Sequence, residues 1–260
     1  MTAARRVIAS ASLVLAIASA SMAADPEWVW PTHRGNTERT GNRDGSQGPE
    51  MPNVLWVYKS PEHFVASVVP GKKAIFVGGL GAFNTGVFHA ISSDQRPTER
   101  VIWSKIAPYV KRPTVCAPAV TNGLVIFGDG MHQTDDALLY CVKADTGLPV
   151  WSFSVPGKLV HIEGSPTVDR GRVYVGAGAA GVLCVDAMRV TLEGKERNLS
   201  QVIPILVKQW GELTAAYERD KKKNPQLAIP PSADALPKPV PRLQWQQGKG
   251  KWHVDAPIAV

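Results

Sequence analysis

From about residue 66 to 188 the chain alternates short apolar runs with tight-turn residues, and the alternation has a period. Cys116–Gly130, "CAPAVTNGLVIFGDG", aligns with Gly164–Gly178, "GSPTVDRGRVYVGAG", so that Pro118, Gly123 and Gly128 fall on Pro166, Gly171 and Gly176, 48 residues on. An earlier copy, Ala66–Leu80 ("ASVVPGKKAIFVGGL"), places Gly78 50 residues before Gly128. Each copy reads as two β-rich runs around a tight turn. Asn122-Gly123 and Asp169-Arg170-Gly171 supply residues that tolerate the positive φ of a hairpin turn. A third run follows in each copy: Val87–Ser92, Leu138–Lys143 and Gly181–Asp186. A further strand then carries a tryptophan, with Trp56, Trp103 and Trp151 spaced by 47 and 48 residues.

Four short strands repeated at this interval predict β-propeller blades rather than a helical solenoid. The expected fold is all-β: a partial propeller of four-stranded antiparallel blades, about three of them present, with one helical insertion. The insertion shows in the spacing. Cys141 and Trp151 are 10 residues apart, whereas Cys184 and Trp245 are 61 apart, so about 51 residues are added, at about 189–241. Within it Val202, Ile203, Leu206, Trp210, Leu213 and Tyr217 recur at helical spacing, with Pro204 acceptable in a first turn. The Pro-rich run "NPQLAIPPSADALPKPVPRL" then predicts an extended, surface-hugging segment. This insertion is read either as a decoration packed on the propeller or as a lid or partner-docking element.

The stretch "KADTGLPVW", Lys143 to Trp151, resembles the tryptophan docking motif of the quinoprotein-type propeller repeat, in which an Asp-x-x-Thr-Gly type of turn precedes Trp. Here Asp145, Thr146 and Gly147 form the turn; the family pattern has Ala and, two residues on, Asp, and at those two places this copy has Cys141 and Lys143. "WPTHRGNTERTG", Trp30 to Gly41, is similar to the segment that opens many exported PQQ-like propellers. The resemblance covers residues 28–188 and 242–260. It implies that Trp56, Trp103, Trp151 and Trp245 are blade anchors, each flat against a neighbouring blade with its indole N–H on a backbone acceptor.

Residues 1–23 have the layout of a secretory signal peptide: Arg5-Arg6, an apolar Ala-rich stretch from Val7, and small residues before a cleavage site after Ala23. The alternative is an uncleaved membrane anchor. With cleavage, the mature protein is periplasmic or secreted and has no stable membrane anchor. Residues 24–60 then form an N-terminal segment with a ring-closing strand around Trp56, and residues 61–260 form the blades. The net charge of +7 resides outside residues 24–188, which carry 15 basic and 15 acidic side chains; residues 1–23 contribute +2, and residues 189–260 carry 12 and 7. The excess gathers around Lys221-Lys222-Lys223 beside Glu218 and Asp220, which reads as a solvated helix end rather than a nucleic-acid surface.

Candidate chemistry is sparse. Walker, GxSxG, HExxH and dinucleotide motifs do not occur, so no catalytic residues are assigned. Cys116, Cys141 and Cys184 are not in metal or redox spacing; Cys141 and Cys184 hold equivalent repeat positions and read as small buried strand residues. His161-Ile162-Glu163 and His253-Val254-Asp255 each precede the inner strand of a blade, and His63 takes the matching place before Ser67. A His and an acid two apart on extended chain point the same way. His161, Glu163, His253 and Asp255 are therefore candidate metal ligands at a channel mouth, or else they bond neighbouring loops.

The resemblance implies one of two functions. The first is a non-catalytic scaffold similar to outer-membrane assembly propellers, with other envelope proteins as partners and no cofactor. The second is part of a PQQ-dependent dehydrogenase holding PQQ with calcium, although no vicinal cysteines occur. "HVDAPIAV" reads as the opening of a fourth blade, with Ala256-Pro257 in the place of Ser165-Pro166, so the chain is expected to be an N-terminal part of a longer propeller.

Overall fold

A computed structural model describes residues 30–41, 50–94, 96 and 98–260. Three antiparallel sheets follow one another along the chain. The first orders β1 (Val69–Pro70), β2 (Ala74–Leu80), β3 (Gly86–Ser92) and β4 (Val101–Lys105). The second orders β5 (Ala119–Thr121), β6 (Leu124–Gly128), β7 (Ala137–Lys143) and β8 (Pro149–Val155). In the third, β9 (Thr167–Asp169) pairs β10 (Arg172–Gly176), which pairs β11 (Val182–Leu192). That sheet has a fifth strand: β12 (Lys195–Asn198) forms a hairpin with the far end of β11, and β13 (Val240–Gln247) takes the outer position. The chain is thus mostly β, a partial propeller of three blades with one α-helix among the described residues.

The β5–β6 and β9–β10 hairpins turn where the sequence predicts, on paired left-handed residues: Asn122 and Gly123 at φ 48° and 72°, Arg170 and Gly171 at 47° and 76°. The repeated glycines have a different task. A Cβ on Gly78 would lie 2.6 Å from Thr114, one on Gly128 2.2 Å from Ile162 and one on Gly176 2.7 Å from Val254. Gly128 and Gly176 end the second strand of their blades and Gly78 lies two residues before the end of its own, each where the chain crosses over that blade on its way to the next, and any side chain would block the crossing. Counting from these contacts puts Ile258, rather than Pro257, at the position of Pro166, a register set by the crossing and not by the Ala-Pro pair.

The blades stack through their faces. Phe88 of the first lies on Phe127 of the second, with centroids 3.8 Å apart and planes within 12°, and Phe127 in turn stacks on Tyr140. Between the second and third blades the core is aliphatic, built from Ile126, Leu139, Val173, Val175, Leu183 and Val185 around Trp151. The three tryptophans occupy one position in three blades: Trp103 pairs with Ala90, Trp151 with Cys141 and Trp245 with Cys184. All three cysteines are buried and free.

The insertion packs across blades two and three. Helix α1 (Leu199–Lys223) starts three residues earlier than the periodicity suggests, because Asn198 and Gln201 form a reciprocal capping box. Pro204 therefore lies in the second turn, not the first, where it forfeits one helical hydrogen bond. Burial of Leu199, Val202 and Leu206, with Ile203, Trp210 and Leu213 partly covered, holds the helix on the blades. The Pro-rich return segment lies on the second blade, where Ser152 N–H donates to Pro239 O at 3.3 Å.

The N-terminal stretch 30–41 docks on the first strands. Arg39, 8% exposed, donates to the carbonyls of His33, Ser165, Pro166 and Ile258 and to Thr167 Oγ1, and Val120 N–H donates to Pro31 O. The segment around Trp56 pairs with no described strand; Val54, Leu55 and Val57 are exposed, and the Arg100 guanidinium sits 4.2 Å over the Trp56 ring. The expected leader, residues 1–23, lies outside the described residues. Among those residues, no helix is long and apolar enough to cross a membrane.

Candidate metal centre

Three crossings of the chain meet on one side of the second and third blades. His132 comes from the β6–β7 loop, His161 from the β8–β9 connection, and His253 with Asp255 from the segment after β13. One potential ligand atom from each of these four residues lies within 4.8 Å of every other. His161 Nε2 is 2.9 Å from Asp255 Oδ1, and His253 Nε2 is 3.3 Å from that same oxygen. The ring centroids of the three histidines are 5.1–6.2 Å apart.

Glycines on both flanks build this convergence. His161 is fully buried, wedged between Gly130, whose Cβ would come within 2.9 Å of its Cβ, and Gly178, whose Cβ would come within 3.0 Å of its ring. Both glycines have positive φ, at 90° and 53°, so only glycine provides both the turn and the clearance. Gly178 also exchanges two backbone hydrogen bonds with Val254, which sets His253 and Asp255 on either side of the crossing. On the other flank Asp129 ties down the loop bearing His132. Its carboxylate accepts from Leu138 N–H and Tyr140 O–H, both at 2.7 Å, and its carbonyl accepts from Ile162 N–H. Burial pushes the Asp129 carboxyl up, and the two donors hold it back.

Two polar atoms at the centre are left without a partner. His161 Nδ1 and Glu163 Oε1 are buried and make no hydrogen bond; Glu163 Oε1 lies 3.9 Å from His161 Nε2. Of the four residues singled out from sequence, His161, His253 and Asp255 come together and Glu163 stands beside them. His63 does not join them; it forms a bridge with Leu80 on the first blade. His132 escapes a reading by repeats because its counterparts, two residues past Leu80 and Gly178, are Ala82 and Ala180. Its signal was a lone His in the turn "DGMHQTDD", and only the fold brings that turn to His161.

Residues 88–194 match the family described as outer membrane protein assembly factor BamB. A curated relative, the quinohemoprotein alcohol dehydrogenase ADH IIB of Pseudomonas putida, is 38% identical over 74 residues, which is 27% of this chain and 11% of that protein. Among solved structures, a europium-containing methanol dehydrogenase is similar at 17% identity and TM-score 0.44, over 62% of this chain and 30% of the other. The quinohemoprotein alcohol dehydrogenase ADHIIG of Pseudomonas putida HK5 is similar at 22% and 0.38, over 50% and 20%. BamB of Moraxella catarrhalis is similar at 15% and 0.33, over 50% and 48%. The chain spans about a tenth of the curated relative's length. Its blades, their Trp positions and the matched segment place it in the class of partial β-propellers. Within that class, its residues 88–194 are similar to PQQ-like propeller repeats.

Proposed function

We propose that this chain is an exported PQQ-like propeller that acts as a non-catalytic scaffold, binding other envelope proteins in the periplasm or outside the cell. The observation that carries the reading is the exposure of Trp245. Its counterparts Trp103 and Trp151 are 8% and 1% exposed against the following blade, while Trp245 is 40% exposed and Leu243, on the same strand, is also open. Half-exposed apolar side chains of this kind are what protein partners cover. The match to a family described as an outer membrane assembly factor supports the same reading.

A second reading, part of a PQQ-dependent dehydrogenase, is favoured by the 38% identity to a protein named as a quinohemoprotein alcohol dehydrogenase. The one cluster of metal-type donors among the described residues does not suit calcium. Calcium takes six to eight oxygen donors, whereas the donors that converge are three imidazoles and one carboxylate. The three thiols are separate, buried and free.

One experiment separates the readings. A photo-crosslinking residue in place of Leu243 should yield defined protein adducts in the cell envelope, and the same residue in place of the exposed Arg170 should not. Equal labelling from both positions contradicts the scaffold. So would quinone absorbance retained through gel filtration after incubation with PQQ and calcium, accompanied by dye-linked alcohol oxidation.

A further inference from the structure

We propose that His132, His161, His253 and Asp255 form a four-coordinate site for a zinc-class divalent ion, which staples the second blade to the third and to the segment that follows. The donor set argues for this class of metal. Imidazoles with one carboxylate suit zinc and copper, while calcium and magnesium select oxygen. A tetrahedral zinc with bonds of about 2.0–2.2 Å holds its donors roughly 3.3 Å apart. Two contacts already stand near that spacing, His161 to Asp255 at 2.9 Å and His253 to Asp255 at 3.3 Å. The widest separation in the group is 4.8 Å. His132 and His253 are exposed and free to swing inward, whereas His161 is locked in place between Gly130 and Gly178.

A plain hydrogen-bonded His–Asp pair accounts for less of the arrangement. Such a pair uses one imidazole; here two Nε2 atoms aim at the same Asp255 oxygen and a third ring closes over them. It also leaves Glu163 Oε1 buried without a partner, a cost that structures rarely retain without a reason. Metal binding supplies that reason: a cation draws charge onto the site, and Glu163 is placed to compensate it or to bridge it through water. Four protein donors fill a tetrahedron, so the site is structural in kind and ties three distant stretches of one chain.

The test is metal titration of the full chain after chelator treatment, with zinc, copper and calcium ions offered separately. One equivalent of zinc should bind saturably, and calcium should not. Cobalt(II) in its place should give the intense visible bands of tetrahedral coordination. His132→Ala changes an exposed side chain, so it keeps the fold; it should weaken zinc at least 10-fold while leaving the metal-free melting temperature unchanged. His253→Ala should weaken it at least as much. Absence of saturable zinc binding, binding of calcium in preference, or an affinity unmoved by both substitutions would each overturn the assignment.

Discussion

The indole of Trp103 lies flat on Gly147 of the next blade: a Cβ on Gly147 would stand 2.7 Å from Trp103 Cδ2, and the indole N–H donates to Ala144 O at 2.9 Å. Gly147 has φ 66°, so the Thr146-Gly147 turn serves two purposes at once, reversing the chain and presenting a bare backbone to the ring. Asp145 and Thr146 fix the turn from outside, with Leu148 N–H donating to Thr146 Oγ1 at 3.3 Å and Lys143 pairing with Asp145 at 3.1 Å.

Gly147→Ala should therefore destabilise the protein by about 2–4 kcal/mol, combining a left-handed backbone penalty with an overpacked interface. Gly123→Ala is the control. It shares the positive φ, at 72°, but a Cβ there meets nothing within 4 Å, so only the backbone cost of about 1–2 kcal/mol applies. Urea unfolding of both variants measures the difference; equal losses would show that the Trp103 contact adds nothing.

The second and third blades meet differently. Trp151 is 1% exposed, but its Nε1 finds no acceptor, because β11 runs on to Leu192 where the second blade has its Thr-Gly turn. Trp151→Ala should cost about 3–5 kcal/mol through the cavity it leaves. Trp151→Phe removes an unsatisfied buried donor as well as some volume, while Trp103→Phe also forfeits a made bond worth about 1 kcal/mol. Trp103→Phe should thus be the more damaging of the two Phe variants in thermal melts. The reverse order would mean that the Ala144 bond is not a source of stability.

Burial pushes the Cys116 thiol up to about 12 and the Cys141 thiol well above its ordinary value. A thiol at about 12 is ionised in roughly one molecule in ten thousand at pH 8, so native protein should resist iodoacetamide and unfolded protein should react fully. The sign for stability follows. Since the folded values lie above the unfolded ones, this contribution is intact below pH 9 and is lost as the pH rises toward 12. Mass spectrometry after alkylation checks the first expectation, and Cys116→Ala, which should flatten the alkaline loss, checks the second.

If residues 1–23 are a cleaved leader, protein recovered from the producing cell's envelope or medium should begin at Ala24. N-terminal sequencing decides this. An intact Met1 on cytosolic protein would remove export, and with it the envelope partners, from the proposed function.

The blades are legible in the sequence because a propeller repeats its chemistry: Pro, Gly and Trp recur at intervals of 47 to 50 residues, each answering a local demand for a turn, a bare crossing or an anchor. The helix was legible from its apolar stripe. Its start was not, since Asn198 and Gln201 cap it through a local bond that periodicity does not register. Two of the four metal-site residues belonged to a visible pattern, the His-x-acid pair at 253 and 255, and His161 to its echo. Glu163 shares that echo yet remains beside the cluster. His132 belonged to no pattern. Its turn reaches His161 only because Gly130 lets two backbones approach within contact, and proximity across 29 residues is a property of how blades stack rather than of spacing. The sequence by itself determined the repeating unit, where local turns and alternation set the strands. Which side chains meet between blades was decided by tertiary packing alone, because face-to-face contact depends on the angle and offset of whole sheets.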